Sequence, residues 1–353
     1  MHVEMMQLLR CPSCGTGFAA ASGAAALRIF TGERDARGEH VLDGALVCRK
    51  CGTWARIEGA IADLRPPDLR DCERDVVFAA RYGLEAPNPA PARRAPSGGH
   101  GQDHKRSQQE FFADAERYER EVVQSAFYRA LDAMTVHAWI DRLPPHSRVL
   151  DIAAGTCRTS VPLAERGHHA IALDLSEELL GLGRDKARAA GVGAEIDLFL
   201  GDAESLSFLD ESVDAALCHG ALHHFEAPGH ALAEAGRVLK PGGRWFSLDP
   251  NRSPLRWVFD LTMRVRKLWH EEAADHPPQT AEEVTGWCAA AGICVEVKYT
   301  CYILPHFVNW MSPQHARAWL RATDSFFSRV PPITRWAGVI YVEGIKDRGT
   351  ARH

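Results

Sequence analysis

Residues 149–160 read VLDIAAGTCRTS. An apolar run over 148–152 suits a buried strand. It passes through Asp151-Ile-Ala-Ala-Gly155-Thr-Cys-Arg158 into a stretch that reads as helix up to Gly167. Small residues between a strand and a helix let a ligand approach the backbone, with helix N-terminal N–H groups behind it. Downstream the pattern repeats. Residues 169–174 read as a strand, and Ser176 caps a helix to Ala190. A third strand over 195–200 ends in Gly201-Asp202, and a fourth covers 213–218. A helix over 228–239 stops at Lys240-Pro-Gly-Gly243, and a fifth strand covers 244–248. Repeated βα units of this length predict a doubly wound, mostly parallel sheet. Ligands in such sheets bind beyond the carboxyl ends of the strands, and Asp151, Asp174 and Asp202 lie at or next to those ends. A carboxylate ending the second strand can accept both hydroxyls of a ribose, and Asp202-Ala203 suits an adenine amino group. The G-x-G-x-x-G fingerprint of nicotinamide cofactors is absent, so the pattern fits a nucleoside bound without a pyrophosphate.

Taken in order, VLDIAAGTCRTS, IALDLS (171–176), FLGDAESLSF (199–208), SVDAALCHGALHHF (212–225) and RVLKPGG (237–243) resemble the successive motifs of class I S-adenosylmethionine-dependent methyltransferases. They are most similar to the branch that includes quinone-biosynthesis and other small-molecule enzymes. The resemblance covers residues 145–250 and implies the Rossmann-like, seven-stranded α/β sheet of that family. It also implies roles. The turn from Asp151 through Ala153 and Gly155 to Thr156 would cradle the methionine end of S-adenosyl-L-methionine. Asp174, with Leu175 beside it, would hold the ribose, and Asp202 and Ala203 would meet the adenine. Cys218 to Ala221, His219 among them, would line the sulfonium. The turn departs from the family's D-x-G-x-G-x-G: Ala153 and Cys157 replace the first and third glycines. Alanine is a mild change where φ stays negative, and Cys157 reads as a tuned position. The Asn/Asp-Pro-Pro-aromatic signature of base-amino methyltransferases is replaced by Cys218-His219-Gly220-Ala221, which argues against base N-methylation.

Upstream, ten cysteines divide into two C-x-x-C pairs, Cys11/Cys14 and Cys48/Cys51, and six isolated residues. Two such pairs supply four thiolates for a closed, tetrahedral zinc site. Gly15 and Gly52 follow the pairs where the backbone must swing past sulfur. LLRCPSCGTGF (8–18) and LVCRKCGTWARIEGAIADLRP (46–66) are similar to a small zinc-ribbon family that accompanies, and in some members activates, tRNA and protein methyltransferases. A structural Zn²⁺ on Cys11, Cys14, Cys48 and Cys51 is therefore expected in a ribbon domain over residues 1–70. Next come a Pro/Gly/Ala-rich linker over 71–106, a helical cap over 107–147, the cofactor core over 148–250, and an acceptor-binding insertion with the end of the sheet over 251–353. The four basic residues of the linker's Pro/Gly/Ala-rich stretch over 86–106, Arg93, Arg94, Lys105 and Arg106, read as solvated. Tyr118, in the cap, is either a packing residue or faces the substrate cleft.

The chain has 353 residues and a formal charge of −5. Counting four zinc thiolates and one Zn²⁺ adds a net −2. This balance argues against a broad nucleic-acid surface, and residues 1–71 carry nine basic and nine acidic side chains, so the ribbon has no excess for phosphate. No apolar run approaches the roughly 20 residues a membrane span needs, and the first residues do not read as a secretory signal. A cytoplasmic location is expected.

Methyl transfer is an in-line displacement in which positioning supplies much of the acceleration. An oxygen acceptor also calls for a base, and His219 and His223 are the candidates by position. Residues 252–269 read as a helix that interleaves Arg252, Arg256, Arg264, Arg266 and Lys267 with Trp257, Phe259 and Trp269. It fits a solvated packing helix, peripheral contact with anionic lipid, or a local nucleic-acid contact. Residues 302–332 carry Phe307, Trp310, Trp319, Phe326 and Phe327, either as a lid over an apolar acceptor or as packed helices. The function expected is methyl transfer to a small-molecule or lipid-like acceptor, with the ribbon stabilising the fold or docking a protein partner. The alternatives are an RNA methyltransferase that docks substrate on the ribbon, and a non-catalytic cofactor-binding regulator.

Overall fold

The computed structural model describes residues 1–15, 27–35, 39–85, 100–265 and 278–348. The stretch from Ala19 to Ala26, residues 86–99 of the linker, and Arg266, Lys267, Leu268 and Trp269 of the basic helix lie outside the described residues.

The first strands are β1 (Leu27–Arg34), β2 (Val41–Cys48), β3 (Trp54–Glu58) and β4 (Ile61–Asp63), followed by helix α1 (Cys72–Tyr82). Then come α2 (His100–Phe111), α3 (Ala115–Tyr118), a π-type turn over Glu119–Val123, and α4 (Ala126–Ile140). The βα alternation follows as β5 (Arg148–Ile152), α5 (Ser160–Glu165), β6 (His169–Asp174), α6 (Glu177–Ala189), β7 (Ile196–Leu200), β8 (Val213–His219), α7 (Pro228–Val238) and β9 (Leu239–Pro250). The last elements are α8 (Pro254–Val265), α9 (Ala281–Ala290), β10 (Ile293–Thr300), the helices α10 (Pro305–Val308), α11 (Pro313–Phe327) and α12 (Pro331–Thr334), and β11 (Val339–Lys346).

Seven strands run in the order β7-β6-β5-β8-β9-β11-β10, with β11 antiparallel to both neighbours. The sheet does not end there. β4 pairs in parallel with β7, with Ile61 opposite Leu198 and Asp63 opposite Leu200, so β1–β4 extend it to eleven strands. The expected seven-stranded sheet with a ribbon domain beside it is corrected on this point. The physical reason is that β7 would otherwise present an unpaired edge of backbone donors and acceptors. The apolar side chains agree: Leu9, Leu46, Ile57 and Leu64 share one buried cluster with Leu150, Ile171 and Phe199.

Ionic contacts lock the junction. Arg56, 2% exposed, pairs with Asp63 at 3.0 Å and Asp75 at 2.7 Å. Arg65 pairs with Asp63 at 2.8 Å, and Arg74 reaches Glu177 at the start of α6 at 2.8 Å. On the far side, the rings of His2 and His169 donate to Asp197 of β7 at 2.9 and 2.8 Å. These partners hold Asp197 well below the usual carboxylate range despite its burial.

The expected linker is also revised. Residues 72–82 form α1, whose Phe78 and Ala79 pack on Ala45, Val47 and Trp54 of the ribbon. Asp71 caps its first turn and Gly83 ends it at φ +61°. In the insertion, α11 buries Ala316 and Leu320, while Phe307, Trp310, Trp319 and Phe326 are exposed.

Candidate functional site

The turn after β5 sets the geometry. Ala153, Gly155 and Cys157 all have left-handed backbones, with φ of +57°, +54° and +58°. The condition under which Ala153 would be a mild replacement is not met. At two of three positions this chain places a side chain where glycine sits more easily, at a cost of roughly 1–2 kcal/mol each. The Cys157 side chain finds room over α6: a Cβ added at Gly183 would lie 2.5 Å from Cys157 Sγ.

Each residue of the turn is fastened to a different element. The Gly155 N–H donates to Asp174 Oδ2 at 2.8 Å, and the Ser176 N–H donates to Oδ1 at 2.9 Å. Thr156 Oγ1 donates to Glu119 Oε2 at 2.5 Å, and Lys186 of α6 pairs with the same carboxylate at 3.0 Å. Arg158 Nη2 donates to the His219 carbonyl at 2.9 Å.

Around this turn opens a cleft of about 910 Å³. Ala153, Gly155, Thr156, Asp174, Leu175, Asp202, Ala203 and His219 line it, so eight of the residues singled out in the sequence come together. Asp151 and His223 do not line it. Asp151, 1% exposed, lies beneath the turn and accepts from Ser160 Oγ at 2.6 Å. Burial pushes its carboxyl up to about 7, against the pull of Ser160 and Arg158. His223 is buried, with its ring bonded to Asp249 Oδ1 at 3.0 Å. The next residue, His224, lines the cleft instead; the two rings lie side by side, centroids 4.0 Å apart, in the short 3-10 turn over Leu222–His224. Cys218 is buried and burial raises its thiol well above the ordinary range.

One wall of the cleft comes from residues read as linker and cap. Lys105, Gln108, Gln109, Phe112 and Tyr118 line it. Lys105 is not solvated: its Nζ lies 2.7 Å from Asp202 Oδ2 and 3.0 Å from Glu204 Oε2. Burial would lower its pKa, but the two carboxylates outweigh this and keep it charged. Gln109 Nε2 and Arg65 Nη1 both donate to the Leu175 carbonyl, at 3.1 and 3.3 Å. Spacing could have shown this face, since 105, 108, 109 and 112 fall at helical steps of three and four. His219 is buried edge-on against Trp139 at 5.0 Å, and burial, then Arg158, lowers its pKa well below the ordinary value. It stays neutral near pH 7 and is a weak base there.

A second cavity of about 630 Å³ lies next to the first and shares Gly220 with it as a lining residue. Its walls are largely apolar, with Phe127, Leu131, Leu248, Phe259, Ile303 and Leu304, and with Tyr128 and Arg256 as polar members. Arg256 is paired with Asp260 at 2.8 Å, while Trp257 on the same helix is exposed.

The four ribbon cysteines form a separate cluster. Their sulfurs all lie within 4.8 Å of one another, with Cys11–Cys51 at 3.6 Å and Cys14–Cys48 at 3.7 Å. A tetrahedron with Zn–S bonds of about 2.3 Å has edges of roughly 3.8 Å, so the set fits a zinc ion.

Comparison with known proteins places this geometry. A family model described as a methyltransferase domain matches residues 150–247. The chain is 39% identical over 203 residues to the demethylmenaquinone methyltransferase of Clavibacter sepedonicus, covering 57% of this chain and 74% of that one. The chain belongs to the S-adenosylmethionine-dependent methyltransferases. This methyltransferase is also 35% identical over 150 residues to the demethylmenaquinone methyltransferase of Renibacterium salmoninarum, covering 40% of this chain and 61% of that one. It spans between 52% and 66% of the length of four of the relatives it matches. A solved structure with a similar fold is the geranyl diphosphate C-methyltransferase of Streptomyces coelicolor, at 17% identity and a TM-score of 0.45, covering 63% of this chain and 80% of that one.

Two tests follow from the turn. Gly183→Ala should cost about 1–3 kcal/mol by overpacking against Cys157. In a Cys157→Gly background that cost should fall by more than half, the remaining tight contact being the Thr156 carbonyl carbon at 3.1 Å. Urea unfolding of the four proteins measures this coupling, and equal costs in both backgrounds would show that the two side chains do not compete. The second test concerns Asp151. A carboxyl with a native pKa of about 7 and an ordinary value of 3.8 holds a proton in the fold that the unfolded chain releases. Its stabilising contribution is full below the lower value and is lost as pH rises through the higher one, at about 1.4 kcal/mol per pH unit in between. Asp151→Asn should flatten that part of the profile of unfolding free energy against pH, and parallel profiles for the two proteins would contradict the burial argument.

Proposed function

We propose that this chain transfers a methyl group from S-adenosyl-L-methionine to a small, ring-bearing or lipid-like acceptor held in the second cavity. The observation that carries the reading is the sharing of Gly220 by two cavities: a cleft lined by Asp174, Asp202 and the turn after β5 lies next to a largely apolar chamber. The names of the relatives point the same way, toward a quinone-like acceptor.

The cofactor, when bound, supplies an electrophilic methyl group on a sulfonium. In this reading the Asp174 carboxylate takes the ribose hydroxyls, and the turn from Ala153 to Thr156 takes the methionine end. Asp202 already pairs with Lys105, so adenine recognition falls to the backbone of Asp202 and Ala203 and to the neighbouring Leu175. His219 and Gly220 flank the reacting end. With its pKa lowered, His219 serves as a neutral hydrogen-bonding group, and His223 supports the strand end through Asp249. Positioning then supplies the main acceleration. The apolar walls around Phe259 and Ile303 hold the acceptor's ring or chain. We also propose that Cys11, Cys14, Cys48 and Cys51 hold one structural zinc ion, which keeps β4 in register with β7 and leaves the ribbon's outer face available to a protein partner.

Asp174→Ala should lose S-adenosylmethionine binding by at least about tenfold in calorimetry, and unchanged affinity would displace the cofactor from this cleft. Incubating the protein with methyl-labelled cofactor and cell extract should place label in the small-molecule or lipid fraction. Label confined to RNA would establish the RNA reading instead, and cofactor binding without label in any fraction would favour a regulator. For the ribbon, Cys11→Ser/Cys48→Ser should lose one zinc per chain by elemental analysis and unfold at lower temperature. A variant with undiminished zinc would refute the site.

A further inference from the structure

Three polar atoms converge beside the cleft, two of them on residues that line it, Arg158 and His219. Asp132 Oδ1, Arg158 Nη1 and His219 Nε2 are shielded from solvent, and none of the three has a hydrogen-bond partner. Asp132 Oδ1 lies 3.5 Å from the guanidinium nitrogen and 3.5 Å from the ring nitrogen, too far for a hydrogen bond to either. The Arg158 and His219 side chains are 10% and 3% exposed. Buried polar atoms of native proteins almost always make a hydrogen bond, so three that make none and face each other at long ion-pair distance mark a place for another polar atom.

The surroundings keep the three from closing on one another. Arg158 is held by its bond to the His219 carbonyl and lies over the Tyr128 ring at 4.8 Å. His219 is wedged against Trp139, and its Nδ1 faces Thr159 Oγ1 at 3.4 Å. Asp132 is carried on α4, whose Phe127 and Leu131 line the apolar cavity. Arg158 and His219 line the cofactor cleft, Tyr128 lines the cavity, and Gly220 lines both. A group placed among the three therefore touches the cleft at His219, one residue from the Gly220 that both cavities share.

The donor and acceptor pattern specifies that group. Arg158 can only donate and ionised Asp132 can only accept. A hydroxyl satisfies both at once, since its oxygen accepts from Nη1–H and its hydrogen goes to Oδ1. A bare ring satisfies neither. We propose that Asp132, Arg158 and His219 form a hydroxyl-recognition subsite that orients a phenol-type acceptor, its ring lying in the apolar cavity. This rests on the reading of that cavity as the acceptor site. Burial raises the Asp132 carboxyl above its ordinary range, against the pull of Arg158, which favours sharing a proton with a phenolic oxygen.

The test compares 1-naphthol with naphthalene, two probes that differ by one hydroxyl. Binding to the full chain, loaded with S-adenosylhomocysteine, is followed by calorimetry. The unmodified protein should bind 1-naphthol at least about tenfold more tightly than naphthalene, the usual worth of a hydrogen bond to a charged group. Asp132→Leu and Arg158→Met should each shrink the gap to below about threefold with naphthalene affinity unchanged. Asp132→Asn, which keeps an acceptor oxygen, should retain most of it. Equal affinities in the unmodified protein, no binding of either probe, or a gap that survives both variants would overturn the proposal. Should Arg158→Met fail to fold, the Asn and Leu variants at 132 decide alone. Titration with S-adenosylhomocysteine separates the two readings, since its failure to bind defeats the methyltransferase assignment of the cleft while the naphthol comparison speaks only to the subsite.

Discussion

The left-handed turn over residues 153–157 is the constraint on which the site depends. It brings the chain sharply from β5 toward α5, and in doing so aims successive groups at different parts of the protein. Gly155 meets Asp174, Thr156 meets Glu119, Cys157 meets α6, and Arg158 meets the end of β8. Glycine would adopt this backbone with less strain at 153 and 157, but it would also be looser. Here the strain is offset by contacts on every side, as expected where a conformation must persist without a ligand. Gly183 is the complementary residue: a helix interior gives up a side chain, at a cost in helix propensity, so that Cys157 can be seated.

The ribbon is joined to that site by backbone and by charge. The β4–β7 pairing puts Asp63 opposite Leu200, one residue before the Gly201-Asp202 loop. Arg65, held by Asp63, reaches the Leu175 carbonyl beside Asp174. From the other side, Lys105 of α2 is tied to Asp202. Two segments N-terminal to the βα core thus hold the two loops that would enclose an adenosine. The ion pairs that do this are buried, where breaking one partner leaves an uncompensated charge and costs several kcal/mol.

Much of the core was readable because its signals are local. Strand, turn and helix succeed one another within a few residues, and Asp174 ends one strand and Asp202 follows another, each with an evident apolar run. The C-x-x-C pairs were legible for the same reason: their sulfurs meet through two short turns. What could not be read depended on distance or on fine rotation. Nothing near Ile61 announces that it pairs with Leu198. Lys105 sits in a polar stretch whose composition masks a helical face. That His224 lines the cleft and His223 does not depends on which of two adjacent side chains a 3-10 turn presents to it, and the positive φ of Ala153 and Cys157 is a property of the turn rather than of those residue types. Asp132 is a lone acid in an otherwise ordinary helix, and gains meaning only when Arg158 and His219 arrive opposite it.

The β4–β7 pairing also sets an order of events in synthesis. Ile61 and Leu198 emerge from the ribosome more than a hundred residues apart. Until β7 is made, the ribbon must persist with its outer strand unpaired, and an unpaired strand edge invites association with other chains. Four thiolates gathered by an ion would let the ribbon close early and locally, and wait. The late, long-range step is then the docking of a preformed edge rather than the search of a loose chain, which lowers the entropy that closing so long a loop would otherwise consume.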